Sequence, residues 1–144
     1  MSSVPQSDPG PLYQFDPLVS EWFATRFAYA TEPQILGWPE IRAGRDVLIS
    51  APTGSGKTLA AFLICIDRLV RQARTGALAN ETEVVYVSPL KALSNDVHKN
   101  LEIPLAEISA LAASQGVPFA EIRTAVRTGD TPPAERVKMG KQHR

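Results

Sequence analysis

Residues 51–58 read APTGSGKT. Gly54 and Gly56 let a backbone turn several N–H groups toward one point, and Lys57 and Thr58 follow directly. At the start of a helix such a nest suits phosphate, because the free N–H groups and the helix dipole both favour negative charge. Lys57 would then reach the β- and γ-phosphates of a nucleotide, and the Thr58 hydroxyl would ligate Mg²⁺. The pattern G-x-x-x-x-G-K-[ST] is met everywhere except its first position, where Ala51 stands for Gly. A methyl is tolerable there if the local φ is negative. The competing reading is a solvent-exposed Gly/Ser turn before an ordinary helix. The apolar run DVLIS before the loop and the long helical pattern after it argue against that. Thr53, Gly54, Ser55, Gly56, Lys57 and Thr58 are therefore the candidates to hold a nucleotide, Lys57 and Thr58 in catalytic roles.

Three further groups could serve such a site. Gln34 lies 23 positions before Lys57. Its amide offers one donor and one acceptor, which match the N6/N7 edge of adenine and mismatch guanine. Taken alone, a glutamine on a helix is more often simply solvated. Phe15 has a ring that can stack on a base, although an aromatic beside an amphipathic helix is more often core. SPLKAL (88–93) places Pro89 at a strand end and Lys91 in a first helical turn, a setting for a nucleic-acid phosphate. RTGDT (127–131) offers donors from Thr128, Gly129 and Thr131, with Arg127 and Asp130 beside them. Without context, a corner with a surface lysine and an ordinary Gly-Asp turn would explain the last two.

The elements that must position these residues follow from the apolar pattern. Asp16-Pro17 reads as an N-cap and first helical residue, followed by Leu18, Val19, Trp22, Phe23 and Phe27 near helical spacing. A second helix is expected from near Thr31 to Gly44, disturbed by Gly37 and Pro39. DVLIS (46–50), EVVYVSP (83–89) and EIRTAVRT (121–128) read as three strands. KTLAAFLICIDRLVRQAR (57–74) is a strong helix closed by Gly76, another starts near Leu90 with a break at Pro104, and Pro132-Pro133 opens a last short one. The order implies right-handed crossovers and an α/β fold, a parallel sheet covered by helices and preceded by a short helical segment. The loops 51–58, 88–93 and 127–131 would all leave carboxyl ends of strands, where such sheets bind ligands.

Composition narrows the class. With 15 basic and 15 acidic residues among 144, no bulk field draws the chain to a polyanion or a membrane surface. Single Cys65 excludes an internal disulfide and fits a reducing cytosol. No run approaches the roughly 20 apolar residues of a membrane helix. Residues 1–14, polar and proline-rich without a basic start, are expected to be a disordered leader rather than a signal peptide. The expectation is a soluble, cytoplasmic protein.

In order along the chain, Phe15, Pro17, Trp22, Phe23, Phe27, Thr31, Gln34, Trp38, Ile41, Gly44, Arg45 and LISAPTGSGKTLAAF resemble the start of superfamily-2 DEAD/DEAH-type helicases. The resemblance is strongest to the large helicase-related (Lhr) family. SPLKAL is similar to motif Ia of that family and RTGDT to its motif Ib, so the likeness spans residue 15 to about 140. Ala at the first loop position is common in this superfamily, so Ala51 is a family variant. The resemblance implies ATP and Mg²⁺ as cofactors, single-stranded DNA or RNA as partner, and residues 15–144 as the first part of a RecA-like, P-loop domain. It also implies an acidic motif that this sequence lacks, since no Asp-Glu dipeptide occurs in it. Asp67 ends the apolar run FLICID but lies on the helix about 15 Å from Lys57, too far to share its metal ion. The chain is accordingly expected to stop before the acidic motif, without the rest of the motor and inactive alone. The alternatives are a non-catalytic, truncated nucleotide-binding piece and, less favoured, another P-loop enzyme such as a kinase.

Overall fold

The computed structural model describes residues 10–89 and 97–141. Helix α1 (Pro17–Arg26) starts as its sequence requires: the Asp16 carboxylate accepts from the Leu18 N–H at 3.0 Å, and Pro17 occupies a position that needs no N–H donor. Helix α2 (Glu32–Arg42) runs through Gly37 and Pro39 without a break. Helix α3 (Lys57–Thr75) leaves the glycine loop and ends at Gly76, whose left-handed backbone (φ 72°) returns its N–H to the Gln72 carbonyl. Helix α4 spans Ile103–Ser114, and α5 spans Pro133–Lys141.

The break expected at Pro104 takes a specific form. Residues His98–Glu102 make a π-helical turn that runs straight into α4, with the Ile103 N–H donating to the His98 carbonyl. Proline has no N–H to give and its ring presses on the carbonyl four residues earlier. A widened turn relieves that pressure without ending the helix.

Helices α1 to α4 share one core. α2 lies along α3, and α1 packs on α4 and α3. Phe15, Leu18, Val19, Trp22, Phe23, Trp38, Phe62, Leu63, Ile66, Val70 and Ile108 are buried together, with Phe15 and Phe23 each edge-on to Trp38. At the rim, Glu107 of α4 accepts from Trp22 Nε1 at 2.6 Å and from Arg26 Nε at 2.9 Å, fastening α4 to α1. Those donors hold the Glu107 carboxyl below its ordinary value, Arg26 contributing most and Trp22 next. Residues expected within the leader are also fastened. The Leu12 carbonyl accepts from Ser20 Oγ at 3.1 Å, and the Gln14 carbonyl accepts from Arg71 Nη2 at 2.6 Å.

The second apolar run, and the residue that leads into the third, are held to α3. Tyr86 stacks at a tilt on Phe62 (centroids 5.0 Å apart), Arg68 pairs with Glu83 at 3.0 Å, and the Ala120 N–H donates to the Ala73 carbonyl at 3.0 Å. Among the described residues none of the three apolar runs enters a strand ladder. A ladder needs a partner strand about 4.8 Å away. Here the side that a neighbour or covering helix would occupy is open: Leu48 is 94% exposed, Val87 83% and Val85 75%.

Candidate functional site

The loop 51–56 turns on its two glycines. Gly54 and Gly56 have φ of 83° and 81°, the left-handed region in which only glycine is unstrained. Ser55 folds back on Pro52, its N–H and hydroxyl both donating to the Pro52 carbonyl at 3.2 and 2.6 Å. Thr53 and Gly54 form the exposed tip. Gly56 stands at the cap position of α3 and brings no side chain to satisfy its first N–H groups, so these donors are left for a ligand or water. Lys57 folds across the loop and donates from Nζ to the Ala51 carbonyl. The ammonium group is thereby held at the start of the loop, on a contact that an anion can replace. Beside it, Lys57 and Thr58 border a cavity of about 320 Å³ walled by Val47, Ile49, Phe62 and Tyr86.

Gln34 meets this loop from α2. It is buried, not solvated, with 3% of its surface exposed. Its Oε1 accepts from the Thr31 N–H at 3.0 Å, and its Nε2 donates to the Gly56 carbonyl at 3.2 Å. Carboxamides hold two donor hydrogens and two acceptor lone pairs, so one of each is left over. The first contact was legible in the sequence as Thr31-x-x-Gln34, the spacing by which a helix caps its own start. Thr31 Oγ1 is buried next to Gly56.

Phe15 lies in the core, 5% exposed, with Trp38 at its edge and the Arg42 guanidinium 4.6 Å above its ring centre. Asp67 is buried in an ionic cluster that sequence reasoning missed. It accepts from the Asp16 N–H at 2.6 Å, from Arg71 Nε at 2.9 Å and from Arg42 Nη1 at 3.4 Å, while Arg74 pairs with Asp16 at 2.5 Å. Such a carboxylate is committed within the fold.

Of the two other loops, Pro89 ends the second apolar run, and Lys91 lies outside the described residues. The turn 128–131 is closed within itself: Thr131 Oγ1 accepts from the Thr128 N–H at 2.8 Å, and Thr128 Oγ1 from the Asp130 N–H at 3.2 Å. Each hydroxyl keeps its own hydrogen to donate. Arg136, from α5, was not foreseen. Its guanidinium donates to the carbonyls of Thr131 (2.8 Å), Thr128 (3.1 Å) and Gly129 (2.7 Å). The oxygens that would repel a phosphate are thus engaged, and Arg127 beside them is exposed.

Residues 31–137, from the Thr31 cap to the α5 helix, match the family model described as DEAD/DEAH box helicase. The chain belongs to the DEAD/DEAH box helicase family. Its described residues form part of a helicase RecA-like domain, and its similarity within the family is to Lhr proteins. It is 50% identical over 129 residues to the Lhr helicase/probable uracil glycosylase of Mycolicibacterium smegmatis, covering 90% of this chain and 8% of that protein. With the ATP-dependent helicase Lhr-Core of Methanothermobacter thermautotrophicus it shares 52% identity over 126 residues, 88% of this chain and 14% of that one. The solved structure of Mycobacterium smegmatis helicase Lhr bound to ssDNA and AMP-PNP matches with a TM-score of 0.79 and 48% identity, over 90% of this chain and 16% of that chain. This chain thus spans a small part of the relatives it matches. Among the described residues no helix is long and apolar enough to cross a membrane.

Proposed function

We propose that this chain is the ATP-binding portion of an ATP-dependent nucleic-acid helicase, acting in the cytoplasm, with residues 15–144 as the early part of a first RecA-like domain. The observation that carries the reading is the contact between Gln34 and Gly56. It sets an adenine-matching amide against a glycine nest that opens an uncapped helix, two features that sequence alone could not join.

In this reading Thr53, Gly54, Ser55 and Gly56 cradle the phosphates through backbone N–H groups, and Lys57 exchanges the Ala51 carbonyl for phosphate oxygens. The spare donor and acceptor of Gln34 pair with adenine. Stacking of the base on Phe15 would require that ring to leave its place between Trp38 and Arg42, so adenine selection is assigned to Gln34. Thr58 supplies a hydroxyl to Mg²⁺. Bound Mg²⁺-ATP supplies the phosphoryl group whose hydrolysis drives such motors. Orienting the attacking water needs an acidic group, and Asp67 is committed elsewhere. The chain by itself should therefore bind ATP without turning it over.

The second half of the reading concerns nucleic acid. The donors of Thr128, Gly129 and Thr131, with Arg127, Pro89 and Lys91, would follow a sugar-phosphate backbone without reading bases. The Lhr structure bound to ssDNA supports single-stranded DNA as the probe of choice. The runs 46–50, 83–89 and 121–128 are proposed to be strands of a parallel sheet completed by strands outside these 144 residues. The exposed Leu48, Val85 and Val87 fit the unpaired state of such a sheet.

Calorimetric titration of the chain with Mg²⁺-ATP and Mg²⁺-GTP tests the proposal. Preferential ATP binding that is lost in Gln34→Ala is expected; equal affinity for both nucleotides would contradict it.

A further inference from the structure

Asp67 is buried and ionisable, yet it has no part in the phosphate site. Its contacts show what it holds. α2 is pinned to α3 at two places. Near its start, Gln34 Nε2 rests on the Gly56 carbonyl at 3.2 Å. At its end, Arg42 Nη1 reaches both Asp67 Oδ2 at 3.4 Å and the Gln14 carbonyl at 3.0 Å. The pins are about 12 Å apart along α2 and about 16 Å apart along α3, so the two helices run in the same direction. A slide of α2 along α3 moves both contacts together.

The first pin has little slack. A Cβ placed on Gly56 would overlap the Gln34 amide and come within 3.1 Å of Thr31 Oγ1. A shift of an ångström would drive the amide into the loop or pull it off its carbonyl. The second pin is anchored more broadly, because Asp67 also receives Arg71 from its own helix and the Asp16 N–H from the start of α1.

We propose that Asp67 is a positioning residue for nucleotide selection: through Arg42 it fixes the register of α2 on α3, and so the place of the Gln34 amide beside the phosphate loop. The inference rests on the reading of Gln34 as the adenine-selecting group. A cluster that only held the fold together would weaken ATP and GTP binding by one common factor when cut. A positioning cluster changes their ratio.

The test is the ATP-over-GTP affinity ratio, measured by calorimetry with Mg²⁺ on the 144-residue chain. Variants are Gln34→Ala, Asp67→Asn, Arg42→Met and the double variant Gln34→Ala/Arg42→Met. Arg42→Met keeps an unbranched side chain of similar reach beside Phe15 and removes the guanidinium with its bonds to Asp67 and Gln14, so it decides the matter if Asp67→Asn does not fold. Arg42→Met should lower the ratio at least about threefold, the worth of one weakened neutral hydrogen bond. It should lower it no further in the absence of Gln34. An unchanged ratio in Arg42→Met, with the ratio lost in Gln34→Ala, overturns the inference and leaves the reading of Gln34 intact. A further fall in the double variant also overturns it. A ratio unchanged by Gln34→Ala overturns that reading and the inference with it.

Discussion

Gln34 donates to the carbonyl of Gly56 at 3.2 Å, across 22 positions of sequence, and sits where any side chain on Gly56 would have to go. One contact therefore does two things. It joins the helix that carries the amide to the loop proposed to hold phosphate, and a side chain on Gly56 would have to displace that amide.

The two loop glycines should differ in consequence. Both have positive φ, which costs a non-glycine residue about 1–2 kcal/mol. A Cβ on Gly54 meets nothing within 4 Å, whereas one on Gly56 overlaps Gln34. Gly56→Ala is expected to destabilise the chain by more than Gly54→Ala in urea unfolding followed by circular dichroism. Equal midpoints for the two variants would count against the packing described.

Arg136 should matter to nucleic acid and not to nucleotide. Arg136→Ala frees three carbonyls in the turn that is proposed to face phosphate. Fluorescence anisotropy with a labelled single-stranded DNA is expected to show several-fold weaker binding, with ATP affinity unchanged by calorimetry. Unaltered DNA binding would remove the 128–131 turn from the interface.

Salt dependence should be shallow. Arg127 and Lys91 with a few backbone donors neutralise few phosphates, so log K against log[salt] is expected to have a slope of about −1 to −3. A slope several units steeper would require a basic surface that this account does not contain.

Acid sensitivity should have a contribution from Glu107. Its carboxyl lies below its ordinary value of 4.5 in the folded chain because Arg26 and Trp22 donate to it. Folding then favours its ionised form, so the stabilisation is present above that ordinary value and is lost as pH falls through the lower folded value. The pair is largely exposed, so the effect is small. Glu107→Gln should flatten the acid limb of a plot of melting temperature against pH, and an unchanged limb would place the acid sensitivity elsewhere.

The helices were legible because their signals are local. Asp16-Pro17 marks the start of α1 and Gly76 the end of α3 by capping chemistry that needs no tertiary context. Gln34 was legible as chemistry but not as geometry: periodicity alone could not tell a solvated glutamine from one buried against a loop 22 residues on. Asp67 and Arg136 were missed for the same reason. Their partners, Asp16, Arg42 and the 128–131 carbonyls, are reached through folding, and the Asp67 contacts with Asp16 and Arg42 leave its own helix. For DVLIS, EVVYVSP and EIRTAVRT the apolar character was read, but a ladder depends on neighbours that no local pattern specifies.

The central claim is that residues 51–58 hold the phosphates of ATP. Its most direct measurement is calorimetric titration of Mg²⁺-ATP into the chain and into Lys57→Ala. Loss of one charge-assisted hydrogen bond is worth roughly 1.5–3 kcal/mol, so the account predicts affinity weakened by at least about tenfold in the variant. Equal affinity in the two proteins would contradict it.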